Sequence, residues 1–211
     1  MTGRRERQKE TRRRRIIAAA GQLFATRGYA ASSIGDIARR ARLAVGTVYN
    51  YFPSKPDIVL AIVRAETGGI LSAGETLVER LEESPVEAVA GLLDLYVDLF
   101  ADFDRELWRE LVAAAMTDPS GLGQAFFAQD LRLIGQLDAL LQELRGRGDL
   151  DPKADPGRGA VTLYGVYLSW FMAYLANDAI EVASLREQVR AGIAVVMHGL
   201  IHPERPKEDS P

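Results

Sequence analysis

The chain has no cysteine in 211 residues and only two histidines. The first absence excludes a disulfide framework and any thiolate metal site. The second leaves His198 and His202 as the sole imidazoles, at i and i+4 near the chain end. That spacing can put both rings on one helical face, but no third ligand lies near and Pro203 follows at once. The reading is an ordinary helix end, and no metal is expected. There is no GxSxG elbow, Walker A loop, HExxH or CxxC, so neither an enzyme nor a cofactor is expected. The carboxylates are spread along helix surfaces without an evident acid/base pair. The first 20 residues are basic and hold no apolar h-region, which argues against a signal peptide. No uncharged apolar run is read as long enough for a membrane span. The expectation is therefore a cytoplasmic protein that meets no membrane. No strand-length alternation with turn signals occurs, so there is no sign of a sheet.

What is present is a strong asymmetry of charge. The whole chain carries −3, with a pI near 5.5. Residues 1–55 nevertheless hold 13 Lys/Arg against 3 Asp/Glu, a net +10, and residues 56–211 a net −13. A basic first quarter points to a polyanion as partner of that segment. Arg12 to Arg15 fall in the first turns of a helix expected from about residue 10. The helix dipole disfavours cations there, and phosphate contact is the functional reason to accept them. Ile16, Ala20 and Phe24 give that helix its core face, Gly28 is placed to end it, and residues 1–9 read as a disordered tail.

The stretch Ser33–Phe52, SIGDIARRARLAVGTVYNYF, reads as two short helices with a tight turn. Ser33 is the N-cap of the first, and Asp36 completes a capping box. Ile34, Ile37, Ala38 and Ala41 share one face. The second helix, from about Ala44 to Tyr51, is too short to stand alone and must dock on something. A docked short helix presenting small and polar groups suits a DNA major groove, where a helix-turn-helix places its second helix. An ordinary helical hairpin in a bundle is the alternative from spacing alone.

The run Ile37-Ala38, Ala41, Gly46-Thr47-Val48-Tyr49 and Tyr51-Phe52-Pro53-Ser54-Lys55 resembles the signature of the TetR family of transcriptional regulators. The chain departs from that pattern at Arg42, where the turn usually has Gly, and at Ala44, where Ser or Thr is usual. The resemblance implies an all-α fold: an N-terminal helix-turn-helix DNA-binding domain followed by a larger helical bundle for dimerisation and effector binding. We divide the chain at 1–55 and 56–211, with a disordered C-terminal tail. The expected function is sequence-specific binding of a palindromic double-stranded DNA operator by a homodimeric repressor released by a ligand. An effector-independent activator or architectural protein of the same fold is the alternative.

Site residues follow from both lines. Arg12 and Arg13 supply phosphate attraction, and Ser33 offers a helix N-terminus to a phosphate. Val45 and Thr47 are expected at base edges, Val45 through a thymine methyl. The resemblance places Tyr49, Tyr51 and Lys55 at backbone-contacting positions, and Asn50 reaches a base or a phosphate. Helix 4 is capped by Ser54, bends at Gly68-Gly69 and continues toward Leu77 and Leu81. A long helix carries Phe126, Leu131, Ile134, Leu137, Leu141 and Leu144. The last two helices, about 157–177 and 183–201, carry wide apolar stripes. Leu168, Phe171, Val189, Ile193, Val196 and Leu200 are taken as the interface with a second copy. Tyr96, Trp108, Phe127 and Tyr167 are candidates to line a site for a small apolar or aromatic effector.

Overall fold

Ile16, Ala19, Ala20, Leu23 and Phe24 recur at helical spacing, and all five are buried on one face of the first helix. The structure is a computed structural model that describes residues 2–65, 84–101, 103–119 and 121–201. Its helices are α1 (Thr2–Arg27), α2 (Ile34–Ala41), α3 (Val45–Tyr49), α4 (55–65), α5 (Pro85–Ala101), α6 (Arg105–Thr117), α7 (Leu122–Gly146), α8 (Pro156–Ala176) and α9 (Val182–His198). Among the described residues there is no strand, only an isolated bridge between Leu150 and Ile201. The fold is all-α, as expected. The expected course of helix 4 beyond residue 65, the C-terminal tail and His202 lie outside the described residues.

Helix α1 begins at Thr2 rather than near residue 10, which corrects the reading of residues 1–9 as a disordered tail. Most residues from 4 to 15 are Arg, Glu, Gln and Lys, all good helix formers. Side chains also tie successive turns. Arg7 Nε donates to Gly3 O at 2.9 Å, Thr11 Oγ1 to Arg7 O at 2.7 Å, and Arg14 pairs with Glu10 at 2.9 Å. Gly28 ends the helix at φ 81°, a conformation that glycine adopts without steric cost.

The chain divides into two compact units, Met1–Gly69 with Asp98–Gln129, and Ile70–Val97 with Asp130–Pro211. In the first, α1 packs on α2 and α2 on α3. Ile58 to Val63 of α4 are buried there, as are Leu107, Trp108, Leu111 and Ala115 of α6. Arg64 at the end of α4 donates to Ala125 O of α7 at 3.1 Å.

In the second unit α8 packs along α9 so closely that a Cβ on Gly192 would lie 2.5 Å from Val166 Cγ1. An ionic group ties α9 to α5. Arg190 reaches Asp94 at 2.6 Å and Glu87 at 2.9 Å, and Arg186 reaches Asp94 at 3.2 Å. The face of α7 differs from the sequence reading. On α7, Leu131 is 52% exposed, because five residues from Phe126 turn a helix about 140° away from it. Leu133, Leu137, Leu140, Leu141 and Leu144 are the buried set. On α8 the core face runs through Leu163, Tyr164, Tyr167, Phe171 and Tyr174, and Val161 is 56% exposed. On α9 it runs through Leu185, Val189, Ile193 and Met197. Helix α8 is also long and apolar enough to cross a membrane by length and composition, contrary to the sequence reading. The inward packing of those five residues is what a core helix of a folded domain requires.

Candidate nucleic-acid interface

The capping box at α2 forms as the sequence predicts. Ser33 Oγ accepts from the Asp36 N–H at 3.1 Å, and the Ser33 N–H donates to Asp36 Oδ2 at 3.1 Å. The Ser33 hydroxyl also donates to Asp36 Oδ2 at 2.5 Å, and this bond first, with the Ser33 N–H second, holds the Asp36 carboxyl below its usual range, with Arg39 adding to the effect. The helix ends at Arg42, whose N–H reaches back to Ala38 O and Arg39 O. Arg42 adopts φ 53°, the only positive φ outside glycine among the described residues. Ala44 starts α3 without a side-chain cap, so both departures from the family pattern are visible in the backbone.

Helix α3 spans five residues and is held from one side only. Val48 and Phe52, at i and i+4, are buried, and the Arg13 guanidinium carbon lies 5.6 Å from the Phe52 ring centroid. The opposite side is open: Val45 is 44% exposed and Tyr49 51%, with Asn50 exposed and Thr47 and Tyr51 half-buried. Ser33 and Arg12 are exposed on the same unit.

The arginines divide by task. Arg13 sits on Phe52, and Arg15 donates to Ala41 O at the end of α2, a structural contact that the sequence reading missed. Arg40 donates to Gln22 at 2.9 Å. Lys55 was expected at a phosphate. Its ammonium donates to Tyr29 O and to Ser32 O, both at 3.0 Å, and lies 3.8 Å from the Tyr29 ring centroid. Burial lowers the Lys55 pKa, opposed by the Glu110 carboxylate. Burial also pushes the Tyr29 hydroxyl up to about 12. Nothing in the spacing of Tyr29, Ser32 and Lys55 announces this clasp, since it closes across more than 20 residues.

The four effector candidates do not gather. Trp108 is buried in the first unit, with Phe103 edge-on at 6.2 Å. Phe127 is 53% exposed and lines no interior, so that expectation is corrected: its face of α7 points outward. Tyr96 and Tyr167 do meet in the second unit, ring to ring at 6.3 Å, and Tyr164 lies 6.3 Å from Tyr167. Tyr96 donates to Gln136 Oε1, and Tyr164 hydrogen-bonds Asp130. Burial pushes the Asp130 carboxyl up to about 6 against the lowering effect of that hydrogen bond. Asp130 was missed although a signal existed: a carboxylate three and seven residues before Leu133 and Leu137, on their helix face.

The predicted dimer residues are also split. Phe171, Val189 and Ile193 are buried within this chain, so they cannot meet a second copy, which corrects that assignment. The most regular apolar stripe is the one a chain's own core takes first. Leu168, Val196 and Leu200 are half-buried. The exposed apolar groups on these helices are instead Val161, Met172 and, at 75% exposure, Val195.

Comparison with known proteins identifies relatives and structures of the same fold. The family model described as "Bacterial regulatory proteins, tetR family" matches residues 16–62. The HTH-type transcriptional repressor KstR of Rhodococcus jostii is 32% identical over 184 residues, spanning 85% of this chain and 81% of that protein. Among solved structures, Thermus thermophilus FadR, a TetR-family transcriptional repressor in complex with lauroyl-CoA, superposes with a TM-score of 0.74. It is 23% identical and covers 94% of this chain and 100% of its own. Bacillus subtilis FadR in complex with stearoyl-CoA superposes with a TM-score of 0.64 at 22% identity, over 89% and 98% of the two chains.

Proposed function

The chain belongs to the TetR family of bacterial regulatory proteins and is a DNA-binding transcriptional regulator, and on that premise we propose a homodimeric repressor released by a ligand. The observation that carries the DNA-reading part is the open side of α3. Val45 and Tyr49 stand in solvent while Val48 and Phe52 anchor the helix, on a segment of net +10. Val45 and Thr47 read base edges. Tyr49, Asn50 and Tyr51 hold the backbone or a neighbouring base, and Arg12 and Arg13 draw the phosphates. Ser33 presents the α2 N-terminus to a phosphate. Residues 1–55 form the reading part, and residues 56–211 serve dimerisation and effector binding.

A two-fold operator follows if two copies pair. The exposed Val161, Met172 and Val195, with the half-buried Leu168 and Val196, are the apolar groups of α8 and α9 that we assign to that pairing, and Leu200 follows α9. For the effector we propose an amphipathic acyl-CoA, because two neighbours in fold hold lauroyl-CoA and stearoyl-CoA. The buried aromatics of the second unit, Tyr96, Tyr164, Tyr167 and Phe171, are compatible with an apolar chain. A cytoplasmic location follows from operator binding. The test is selection of the preferred duplex from a random pool, then titration of the complex with acyl-CoAs of increasing chain length. A palindromic consensus released by one range of chain lengths supports the proposal. A protein without sequence preference refutes the DNA reading, and a complex indifferent to every acyl-CoA refutes the effector.

A further inference from the structure

Apart from tyrosines, two polar side chains are buried among the described residues, Ser32 and Gln129. Ser32 is satisfied, because its hydroxyl donates to Gly28 O at 2.8 Å. Gln129 is not. It is 9% exposed on α7, and among the described residues no donor reaches its Oε1. Its Nε2 donates to Ala125 O at 3.4 Å, a long bond to a carbonyl that Arg64 of α4 also reaches, at 3.1 Å. Turning the amide over does not help, because Oε1 would then face that carbonyl, acceptor against acceptor.

The position makes this amide informative. At about 100° per residue, Leu122, Leu133 and Leu140 lie within about 40° of Gln129 around the helix, and all three are buried. A leucine at 129 would continue that row with no polar atom to satisfy. A buried amide without its partners lowers stability, and unlike a carboxyl it cannot escape by taking up a proton. A polar group held at the expense of stability marks a place of function. Oε1 calls for a donor, and Nε2 has a second hydrogen to give. A secondary amide answers both at once. In an acyl-CoA the acyl chain has no such group and the thioester carbonyl only accepts, whereas the pantetheine arm carries amides and a hydroxyl. We propose that Gln129 is a ligand-binding residue whose side-chain amide pairs with an amide of the pantetheine arm of an acyl-CoA. The assignment rests on the acyl-CoA reading above, and it names the part of the ligand that hydrogen bonds recognise.

The test titrates the full chain and two variants, Gln129→Met and Gln129→Leu, by calorimetry. The probes are lauroyl-CoA and stearoyl-CoA, the same acyl chains as pantetheine thioesters, and laurate and stearate. Thermal unfolding is read on each free protein. Both variants should bind the CoA and pantetheine thioesters about tenfold more weakly than wild type, and the free fatty acids as wild type does. Both should melt no lower than wild type, since an apolar side chain of similar size replaces the unsatisfied amide. Unchanged affinity for the thioesters overturns the inference and leaves the acyl-CoA reading standing. So does a loss shared equally by the fatty acids, or one confined to the CoA thioesters, since neither places the contact on the pantetheine arm. A lower melting temperature in both variants also overturns it, because the amide then supports the fold. A wild type that binds no thioester overturns the acyl-CoA reading, and the inference with it.

Discussion

Arg42 carries a strain that one substitution can remove. Its φ of 53° and ψ of 50° lie in the left-handed region, where Cβ crowds the backbone by roughly 1–2 kcal/mol. The turn keeps this geometry because the Arg42 N–H closes on Ala38 O and Arg39 O, and the Leu43 N–H closes on Ala38 O at 2.9 Å. Arg42→Gly removes the crowding and leaves those backbone bonds intact. Glycine also gives the unfolded chain more freedom, a loss of about 0.5–1 kcal/mol. The net gain is about 0.5–1 kcal/mol, which for a chain of this size raises the melting temperature by about 1–4 °C. Arg42→Ala separates charge from strain. It removes the exposed guanidinium but keeps the Cβ, so its stability should stay within about 0.5 kcal/mol of wild type. Thermal unfolding by circular dichroism, run on the three proteins in one buffer, reads the order directly. If Arg42→Gly melts no higher than wild type, or Arg42→Ala gains as much, strain is not what the turn stores.

Further outcomes follow from other parts of the molecule. Val45→Ala should leave melting unchanged and cost about 1 kcal/mol at one base pair in each half-site, read by titrating single-base operator variants. An equal loss on every duplex would put Val45 off the reading face. Val195→Glu should give folded monomers in sedimentation, because Val195 is 75% exposed in the chain, whereas Val189→Glu should unfold the protein by burying a charge without a partner. A Val195→Glu protein that stays dimeric moves the interface elsewhere. Asp130 has a folded pKa near 6, above its unfolded value of about 3.9, so the folded state binds the extra proton and stability falls as pH rises from about 4 to 6. Asp130→Asn should remove that slope and stabilise the protein at pH 7 by about 1–2 kcal/mol after solvent screening, and a pH profile identical to wild type would refute it.

Local chemistry was legible in the sequence and assembly was not. The Ser33–Asp36 box, the Gly28 stop, the Arg42 turn and the uncapped Ala44 all depend on residues within a few positions of one another, and each was readable as written. The side of α3 that stays open was also readable, because Val48 and Phe52 lie four residues apart. Which face of α8 or α9 the chain buries depends on the position of other helices, so Phe171, Val189 and Ile193 were misplaced at an outer surface. Phe127 failed for the same reason. The Lys55 clasp and the Arg15 contact join residues more than 20 positions apart, beyond any periodic signal. Asp130 was visible but overlooked, since a polar residue on an apolar stripe is easily counted as noise.

The unbroken course of α1 gives the basic arm a direction. At 26 residues the helix is about 39 Å long, and its rotation carries through from one end to the other. Arg5, Lys9, Arg12, Ile16, Ala19 and Leu23 fall at steps of four, three, four, three and four, so they share one side of the rod. That side is apolar toward the head, where α2 packs on the helix, and cationic toward the N-terminus. A flexible tail would deliver its charges in any orientation, whereas this one is phased. A single inserted residue between Arg12 and Ile16 would swing the cationic side by about 100° relative to the head without changing composition or net charge. The placement of those charges is thereby encoded in the count of residues separating them from Ile16, as much as in their identity.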